Sequence, residues 1–210
     1  WLGETRMILL HSAAMASLRK ELVDSLGTER ARGVLTRTGF ASGSRDAELA
    51  RKLYPNASDA DLLGMGPQLH TLEGIVTVRT ARLDIDIAEG RFYGEFLWDS
   101  SFEADLHHEL FGVDTGPACW MQTGYACGYS STVMGRSILY KETECRASGA
   151  HACRIIGKPA EEWEDAENIQ RYLRPDSLAE HILELQEQVQ HLRYSIDDDL
   201  RADDLIGASA

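Results

Sequence analysis

The chain has 210 residues, enough for one sizeable hydrophobic core or for a core with an appendage. Its 21 basic and 34 acidic residues give a formal net charge of −13, which disfavours direct binding to nucleic acid because like charges repel. No apolar run approaches the roughly 18 residues that span a bilayer, and four cysteines are too few for a secreted disulfide framework. These features predict a soluble, cytoplasmic protein that contacts neither membrane nor nucleic acid directly. The N-terminus has no initiator Met and no secretory signal, so we expect a piece of a longer chain.

The first third of the sequence has the apolar spacing of helices. Apolar residues recur every three or four positions across Arg6–Leu26, and Gly27 is expected to end that helix. A second helix is predicted over Thr28–Phe40, with Thr28 as its N-cap and the region of Gly43 as its stop. A third is predicted over Asp46–Leu53. The opening part of the chain is therefore predicted to be mostly helical.

Strand periodicity follows. Residues 73–106 are rich in β-branched and aromatic residues, alternate in "LDIDI" and break at Glu89-Gly90, which predicts two long antiparallel strands joined by a tight turn. Period two places Phe92, Phe96 and Trp98 on one face of the second strand. A further helix is expected over Ala118–Met134, and residues 136–159 have the pattern of strand, short connection and strand. We therefore predict an α+β fold of mixed helices and antiparallel sheet.

The C-terminal part has a different organisation. Residues 161–176 form a polar hinge, with Pro175 near its end, and residues 177–197 carry a heptad seam with apolar residues at alternating steps of four and three. The seam residues are Leu178, Ile182, Leu185, Val189, Leu192 and Ile196. We predict a coiled-coil linker helix that pairs two protomers; the alternative is a single amphipathic helix docked on its own domain. Residues 198–210 are interpreted as the start of a further domain.

The stretch "KETECRASGAHAC", residues 141–153, raises the question of a metal site. Cys145 and Cys153 flank a short connection, and Cys119 is a candidate third ligand. Candidates for the fourth ligand are Glu142, His151 and Cys127. Charge favours His151, because three thiolates plus a carboxylate leave more negative charge around a divalent ion. Inert thiols and a redox-active pair are the alternatives to a structural metal.

Five ordered motifs carry a family resemblance across residues 1 to about 193. They are "GPQLHTLEG", "FYGEFLWDSSFE", "CW…GYACGYSS…MGR", "KETECRASGAHAC" and "GKPAEEWED". With them the chain resembles the N-terminal sensory region of bacterial sigma-54-dependent activators that respond to phenols. The resemblance implies a sensor domain over residues 1–160 with a 4-vinyl-reductase-type zinc subregion at about 100–160. In that family a linker, an AAA+ ATPase and a helix-turn-helix domain follow.

The resemblance also implies two sets of site residues. The structural zinc ligands would be Cys119, Glu142, Cys145 and Cys153, which excludes His151 and leaves Cys127 as a packed thiol. The aromatic effector would meet the polar side chains of His70 and Trp98. Its apolar wall would include Phe96, Tyr129 and Tyr140, with Leu63 expected from the apolar stretch that precedes His70.

The chemistry of these residue types suits a phenol. A flat ring with one hydroxyl needs apolar walls and very few polar groups. Trp98 offers an N–H donor, and His70 offers a donor or an acceptor according to its tautomer. Leaving such a pair unmatched costs about 1–3 kcal/mol, enough to prefer phenol over toluene.

The resemblance therefore implies a non-enzymatic, homodimeric sensor in which phenol binding relieves repression of the AAA+ domain of the same full-length chain. Two alternatives come from other classes. A zinc enzyme acting on small aromatics would need an open metal position and turnover. A ligand-free dimerisation module would not respond to phenol.

Overall fold

The structure, a computed structural model, describes residues 5–113, 116–175, 177, 182–183, 185–190 and 192. Contacts divide the chain into one compact unit over residues 1–174 and another over 175–210. The helices of the first unit are α1 (Ser12–Leu26), α2 (Thr28–Leu53), α3 (Asp59–Leu72), α4 (Phe102–Phe111), α5 (Trp120–Met134) and α6 (Ala166–Gln170). Its strands are β1 (Thr77–Asp86), β2 (Arg91–Asp99), β3 (Ile138–Glu144) and β4 (Cys153–Pro159). Mixed helices with a four-stranded antiparallel sheet confirm that part of the predicted fold.

The sheet has the strand order β1-β2-β4-β3. The predicted hairpin is present as β1 and β2, and its turn includes Gly90 with a φ of 66°. On β2 the side chains of Phe92, Phe96 and Trp98 are buried on one face, as the alternation predicted. The last two strands join β2 so that Trp98 lies opposite Cys153.

Helices α2 and α5 pack backbone to backbone. A Cβ at Gly43 of α2 would overlap the carbonyl of Tyr125, and one at Gly128 of α5 would overlap that of Phe40. Glycine is required there because only a residue without Cβ permits such close approach. The predicted stop near Gly43 was therefore wrong: the second and third predicted helices are one continuous helix, and its glycines face a partner helix.

Two predicted helix starts also differ. The first helix begins at Ser12 instead of Arg6, because the N–H of Ala14 is capped by Nδ1 of His11 at 3.2 Å. At the second start Gly27, with a φ of 77°, is the residue before the helix, so Thr28 is helical and does not cap it. Gly27 does end α1, as predicted; its N–H donates to the carbonyl of Val23.

Helices α3 and α4 were not predicted. The first begins with a reciprocal capping box, in which Ser58 accepts the N–H of Asp61 and the Asp61 carboxylate accepts the N–H of Ser58. The second begins after Ser101, whose hydroxyl accepts the N–H of Ala104. Helix α3 places His70 in a buried helical position, not in a loop.

In the second unit the described positions 182–183, 185–190 and 192 are helical. Four heptad residues described there, Ile182, Leu185, Val189 and Leu192, are exposed. The other two, Leu178 and Ile196, lie outside the described residues, so the coiled coil stays a prediction. Among the described residues, every helix falls short of the length and apolar character needed to cross a bilayer.

Candidate effector pocket and metal cluster

A small cavity of about 40 Å³ lies between α3, α5 and the buried face of the sheet. Its lining is mainly apolar and aromatic. The lining residues are Leu63, Gly66, Pro67, His70, Val78, Leu83, Phe92, Phe96, Trp98, Tyr125, Ala126, Tyr129, Ser130 and Tyr140. All six ligand-binding residues named from the sequence are among them, so the fold brings together residues that are far apart along the chain.

His70 supplies one polar group of the cavity. Its ring stacks on that of Tyr125, with centroids 3.7 Å apart and planes inclined by 25°. Burial lowers the pKa of His70 to about 3, so the imidazole is neutral at ordinary pH. Among the described residues neither ring nitrogen has a hydrogen-bond partner. A neutral imidazole keeps one donor and one acceptor, and both are free here.

Trp98 supplies another polar group, from β2. Only 3% of its surface is exposed, and its Nε1–H finds no acceptor within the described part of the chain. Buried polar groups in native proteins are nearly always paired. Two unpaired groups, on His70 and Trp98, that line the same cavity indicate a ligand with matching polar chemistry.

The tyrosines of the wall direct two of their hydroxyls away from this role. Tyr129 donates to the carbonyl of Leu62 at 2.8 Å, and Tyr125 donates to Asp46 at 3.0 Å. These rings therefore contribute apolar faces. Gly66 makes room for one of them, since a Cβ there would lie 2.8 Å from the Tyr129 ring.

Several pocket residues were missed from the sequence. Phe92 could have been found, since it shares the predicted face of β2 with Phe96 and Trp98. Tyr125 lies one helical turn before Tyr129 on α5, a spacing that would also have found it. Ser130 has no such signal.

The second site is a buried cluster of four side chains, Cys119, Glu142, Cys145 and Cys153, whose candidate ligand atoms all lie within 4.8 Å of one another. The Sγ of Cys153 lies 3.6 Å from that of Cys119 and 3.9 Å from that of Cys145. Tetrahedral zinc with Zn–S bonds near 2.3 Å separates its sulfurs by about 3.8 Å. The donor set and spacing therefore fit a metal ion.

The electrostatics of the cluster also call for a cation. Burial raises the pKa of Glu142 to about 8 and holds the pKa of Cys119 well above its usual value. One carboxylate oxygen of Glu142 accepts the N–H of Cys119 at 3.0 Å, whereas Oε1 is buried without a hydrogen-bond partner. A divalent ion would stabilise the charged forms and satisfy that oxygen.

The other two candidate ligands lie outside the cluster. His151 is exposed in a bend before β4. The thiol of Cys127 accepts the N–H of Tyr140 at 3.2 Å and is otherwise buried. The structure thus groups the four residues implied by the family resemblance, and His151, which the charge argument favoured, lies apart from them.

A buried ionic network lies beside the cluster and was not foreseen. Arg19 of α1 pairs with Glu103 at 2.8 Å, donates to the carbonyl of Ala118 at 2.7 Å and to Nδ1 of His107 at 3.1 Å. Glu103 also accepts the N–H of Gln122 at 2.8 Å, at the start of α5. The network therefore fixes the segment that carries Cys119.

The pocket and the cluster share strands. Tyr140 and Glu142 lie two residues apart on β3 and are both buried, one lining the pocket and the other in the cluster. Trp98 on β2 is the register partner of Cys153 on β4. The two sites are therefore built on the same part of the sheet.

Comparison with known proteins identifies the family. Residues 1–86 match the family described as activator of aromatic catabolism, and residues 98–159 match the 4-vinyl-reductase domain family. The chain is 44% identical over 196 residues to the phenol regulator MopR of Acinetobacter guillouiae, covering 93% of this chain and 35% of that protein. It is 45% identical over 193 residues to the transcriptional regulatory protein XylR of Pseudomonas putida, covering 92% and 34%. The chain thus spans about a third of the length of these two relatives.

A solved structure gives the fuller match. The crystal structure of the phenol-responsive sensory domain of the transcription activator PoxR with phenol superimposes with a TM-score of 0.80 at 57% sequence identity. The match covers 84% of this chain and 88% of that one. The chain therefore belongs to the family of sensory domains of transcription activators of aromatic catabolism.

Proposed function

We propose that this chain binds a phenol in the cavity lined by His70 and Trp98. The observation that carries the proposal is the presence of these two unpaired polar groups in a buried, otherwise mainly apolar pocket. A phenol hydroxyl can donate to the imidazole acceptor and accept from the indole N–H. Phe96, Tyr129, Tyr140 and Leu63 then enclose the ring.

The proposed metal is a structural Zn²⁺ held by Cys119, Glu142, Cys145 and Cys153. Four protein ligands complete a tetrahedral sphere and leave no position for substrate, which supports a structural role. When bound, the ion would neutralise the buried anions and tie the end of β3 to β4 and to the start of α5. The family consists of regulatory domains and not of enzymes.

For the whole protein we propose the arrangement expected from the sequence. Residues 1–160 sense the effector, 161–176 form a hinge, and 177–197 form a linker helix that pairs two protomers in the cytoplasm. Residues 198–210 lead into an AAA+ domain whose repression the effector relieves. An effector can do this only by binding one conformational state more tightly than the other.

Calorimetry on the purified chain tests the proposal. Phenol should bind, and toluene should bind about 5- to 100-fold more weakly, because toluene leaves both polar groups unmatched. His70→Phe and Trp98→Phe should weaken phenol but leave toluene within a few-fold. Equal affinities for the two ligands, or no binding of phenol, would contradict the proposal. A ligand-free dimerisation module would show no rise in Tm with phenol, whereas binding to the folded state requires one.

A further inference from the structure

The hydroxyls of Ser130 and Tyr140 form a pair within the cavity. Their oxygens are 3.0 Å apart, and both residues are almost fully buried, at 5% and 3% exposed. The Tyr140 ring was expected to serve only as apolar wall. Its hydroxyl instead adds a polar group to the pocket that the sequence reasoning did not assign.

The pair leaves a donor unused. Each hydroxyl carries one hydrogen, and the bond between them uses only one of the two. Within the described residues no further acceptor lies near either oxygen. The hydroxyls of Tyr125 and Tyr129 differ, because each donates to a protein acceptor. Among the hydroxyls that line the cavity, the described residues therefore leave a spare donor only at this pair.

The pair is displaced from the first polar groups along both walls of the cavity. In the sheet Tyr140 lies in the same row as Gly157 and Gly94, and Gly94 is four residues before Trp98 on β2, about 13 Å along the strand. On α5 Ser130 is five residues after Tyr125, the residue on which His70 stacks, about 7.5 Å along the helix axis. The cavity therefore has two separated polar ends.

The position of Tyr140 is fixed by its neighbours. A Cβ at Gly157 would overlap its ring, so the glycine lets the ring lie directly over β4. Phe92 and Phe96 contact the ring at centroid distances of 6.1 and 6.2 Å. A hydroxyl held in this way needs little reordering to meet a ligand, which favours binding.

From this geometry we infer that the Ser130–Tyr140 hydroxyl pair is a second polar subsite, which accepts a hydroxyl on the side of the ring remote from the phenolic oxygen. The preferred class of ligand is then the dihydric phenols with well-separated hydroxyls. This inference rests on the proposed function, since it assumes that the first hydroxyl is held by His70 and Trp98. It adds a group that distinguishes between ring substituents of the same size.

The test uses 4-methylphenol and 1,4-dihydroxybenzene, which have nearly the same shape and differ by a methyl against a hydroxyl. Affinities are measured by calorimetry, under anaerobic conditions, for the purified wild-type chain and for Ser130→Ala and Tyr140→Phe. Each variant should weaken 1,4-dihydroxybenzene by about five- to tenfold, the effect of one lost hydrogen bond, and change 4-methylphenol by less than about twofold. Tyr129→Phe is the matched control, because its hydroxyl is used by Leu62, and it should change both ligands by the same factor.

Loss of the same factor for both ligands in Ser130→Ala and Tyr140→Phe would overturn the subsite, because the pair would then serve only to hold the pocket together. Should one variant fail to fold, the other carries the same comparison. Phenol itself separates the two proposals. If phenol binds the wild-type chain and the ligand pair is not distinguished by the variants, the subsite alone is wrong; if phenol does not bind, the proposed function and the subsite are both wrong.

Discussion

The imidazole of His70 stacks on the ring of Tyr125 with their centroids 3.7 Å apart, while the Tyr125 hydroxyl donates to Asp46 on α2. The stack orients a histidine that has no hydrogen bond to hold it among the described residues. A helix outside the pocket therefore contributes, through Asp46 and Tyr125, to the position of a group inside it.

Replacing Tyr125 separates the two parts of this arrangement. Tyr125→Leu should weaken phenol binding by about two- to tenfold, because an aromatic pair contributes about 0.5–1.5 kcal/mol and the imidazole loses its orientation. Tyr125→Phe keeps the stack and should leave phenol affinity nearly unchanged, although it removes the bond to Asp46. Calorimetry on both variants provides the measurement; similar losses in the two would show that the hydroxyl, and not the stack, is what matters.

The buried neutral His70 also predicts a pH dependence of stability. Its folded pKa of about 3 lies below the ordinary value of 6.5, so the unfolded chain takes up a proton that the folded protein refuses. The stability from the neutral form is complete above pH 6.5 and is lost as the pH falls toward 3. Between pH 7.5 and 5.5 the wild type should lose about 1.4 kcal/mol more unfolding free energy than His70→Gln.

Urea unfolding of the two proteins at both pH values measures this difference. His107, whose pKa burial lowers to about 4, is present in both proteins, so its contribution cancels in the comparison. Parallel pH profiles for wild type and variant would mean that His70 is protonated in the folded state.

The metal cluster predicts opposite outcomes for two buried cysteines. Cys145→Ser should lose the ion and, when zinc is present at 100 to 1,000 times its Kd, unfold with about 3–4 kcal/mol less free energy than wild type. Cys127→Ser is the matched control, because that thiol is equally buried but lies outside the cluster. It should retain the ion, as should His151→Ala. Metal analysis and thermal unfolding with and without a chelator test the set, and loss of the ion from either control would contradict the assignment.

The packing of α2 on α5 can be tested with two glycines that differ in their surroundings. Gly43→Ala should destabilise the fold by about 1–3 kcal/mol or more, because the new methyl overlaps the Tyr125 backbone. Gly64→Ala, in α3, has no neighbouring atom within 4 Å and should stabilise the fold by about 0.5–1 kcal/mol through helix propensity. Denaturant unfolding compares them, and equal effects would argue against close helix contact.

The buried pair of Arg19 and Glu103 offers a further test. Arg19→Met should cost about 3–5 kcal/mol, since it leaves the Glu103 carboxylate buried without its cation. Adding Glu103→Gln removes the uncompensated charge and should recover part of the loss. Denaturant unfolding provides the measurement, and a double variant less stable than Arg19→Met would contradict this account.

The hairpin and the aromatic face of β2 were predictable from sequence because period two is a local property of the chain. Helix limits were less so. A glycine such as Gly43 ordinarily weakens a helix, and only the contact with α5 explains why the helix continues through it. The capping box at Ser58 and Asp61 is a local signal that would have identified α3, although Pro67 within the helix obscures the pattern.

The site residues show the same division. Residue type and family motif grouped His70 with Trp98, and three cysteines with Glu142, but spacing alone left the fourth metal ligand open. The register of β3 on β4, with Glu142 opposite Ile155, decides which side chains meet in the cluster, and register is a property of the folded sheet. The Ser130–Tyr140 bond was beyond reach for the same reason, since it joins a helix to a strand.

Because Tyr140 and Glu142 are near neighbours on β3, and Trp98 faces Cys153 across β2 and β4, an ion and an effector would act on the same short strands. Two ligands that bias one element are thermodynamically linked, and the link is reciprocal. Whatever factor the ion adds to the affinity for the effector, the effector adds to the affinity for the ion. Occupancy of the aromatic pocket would thus be readable from the rate or extent of metal loss to a chelator.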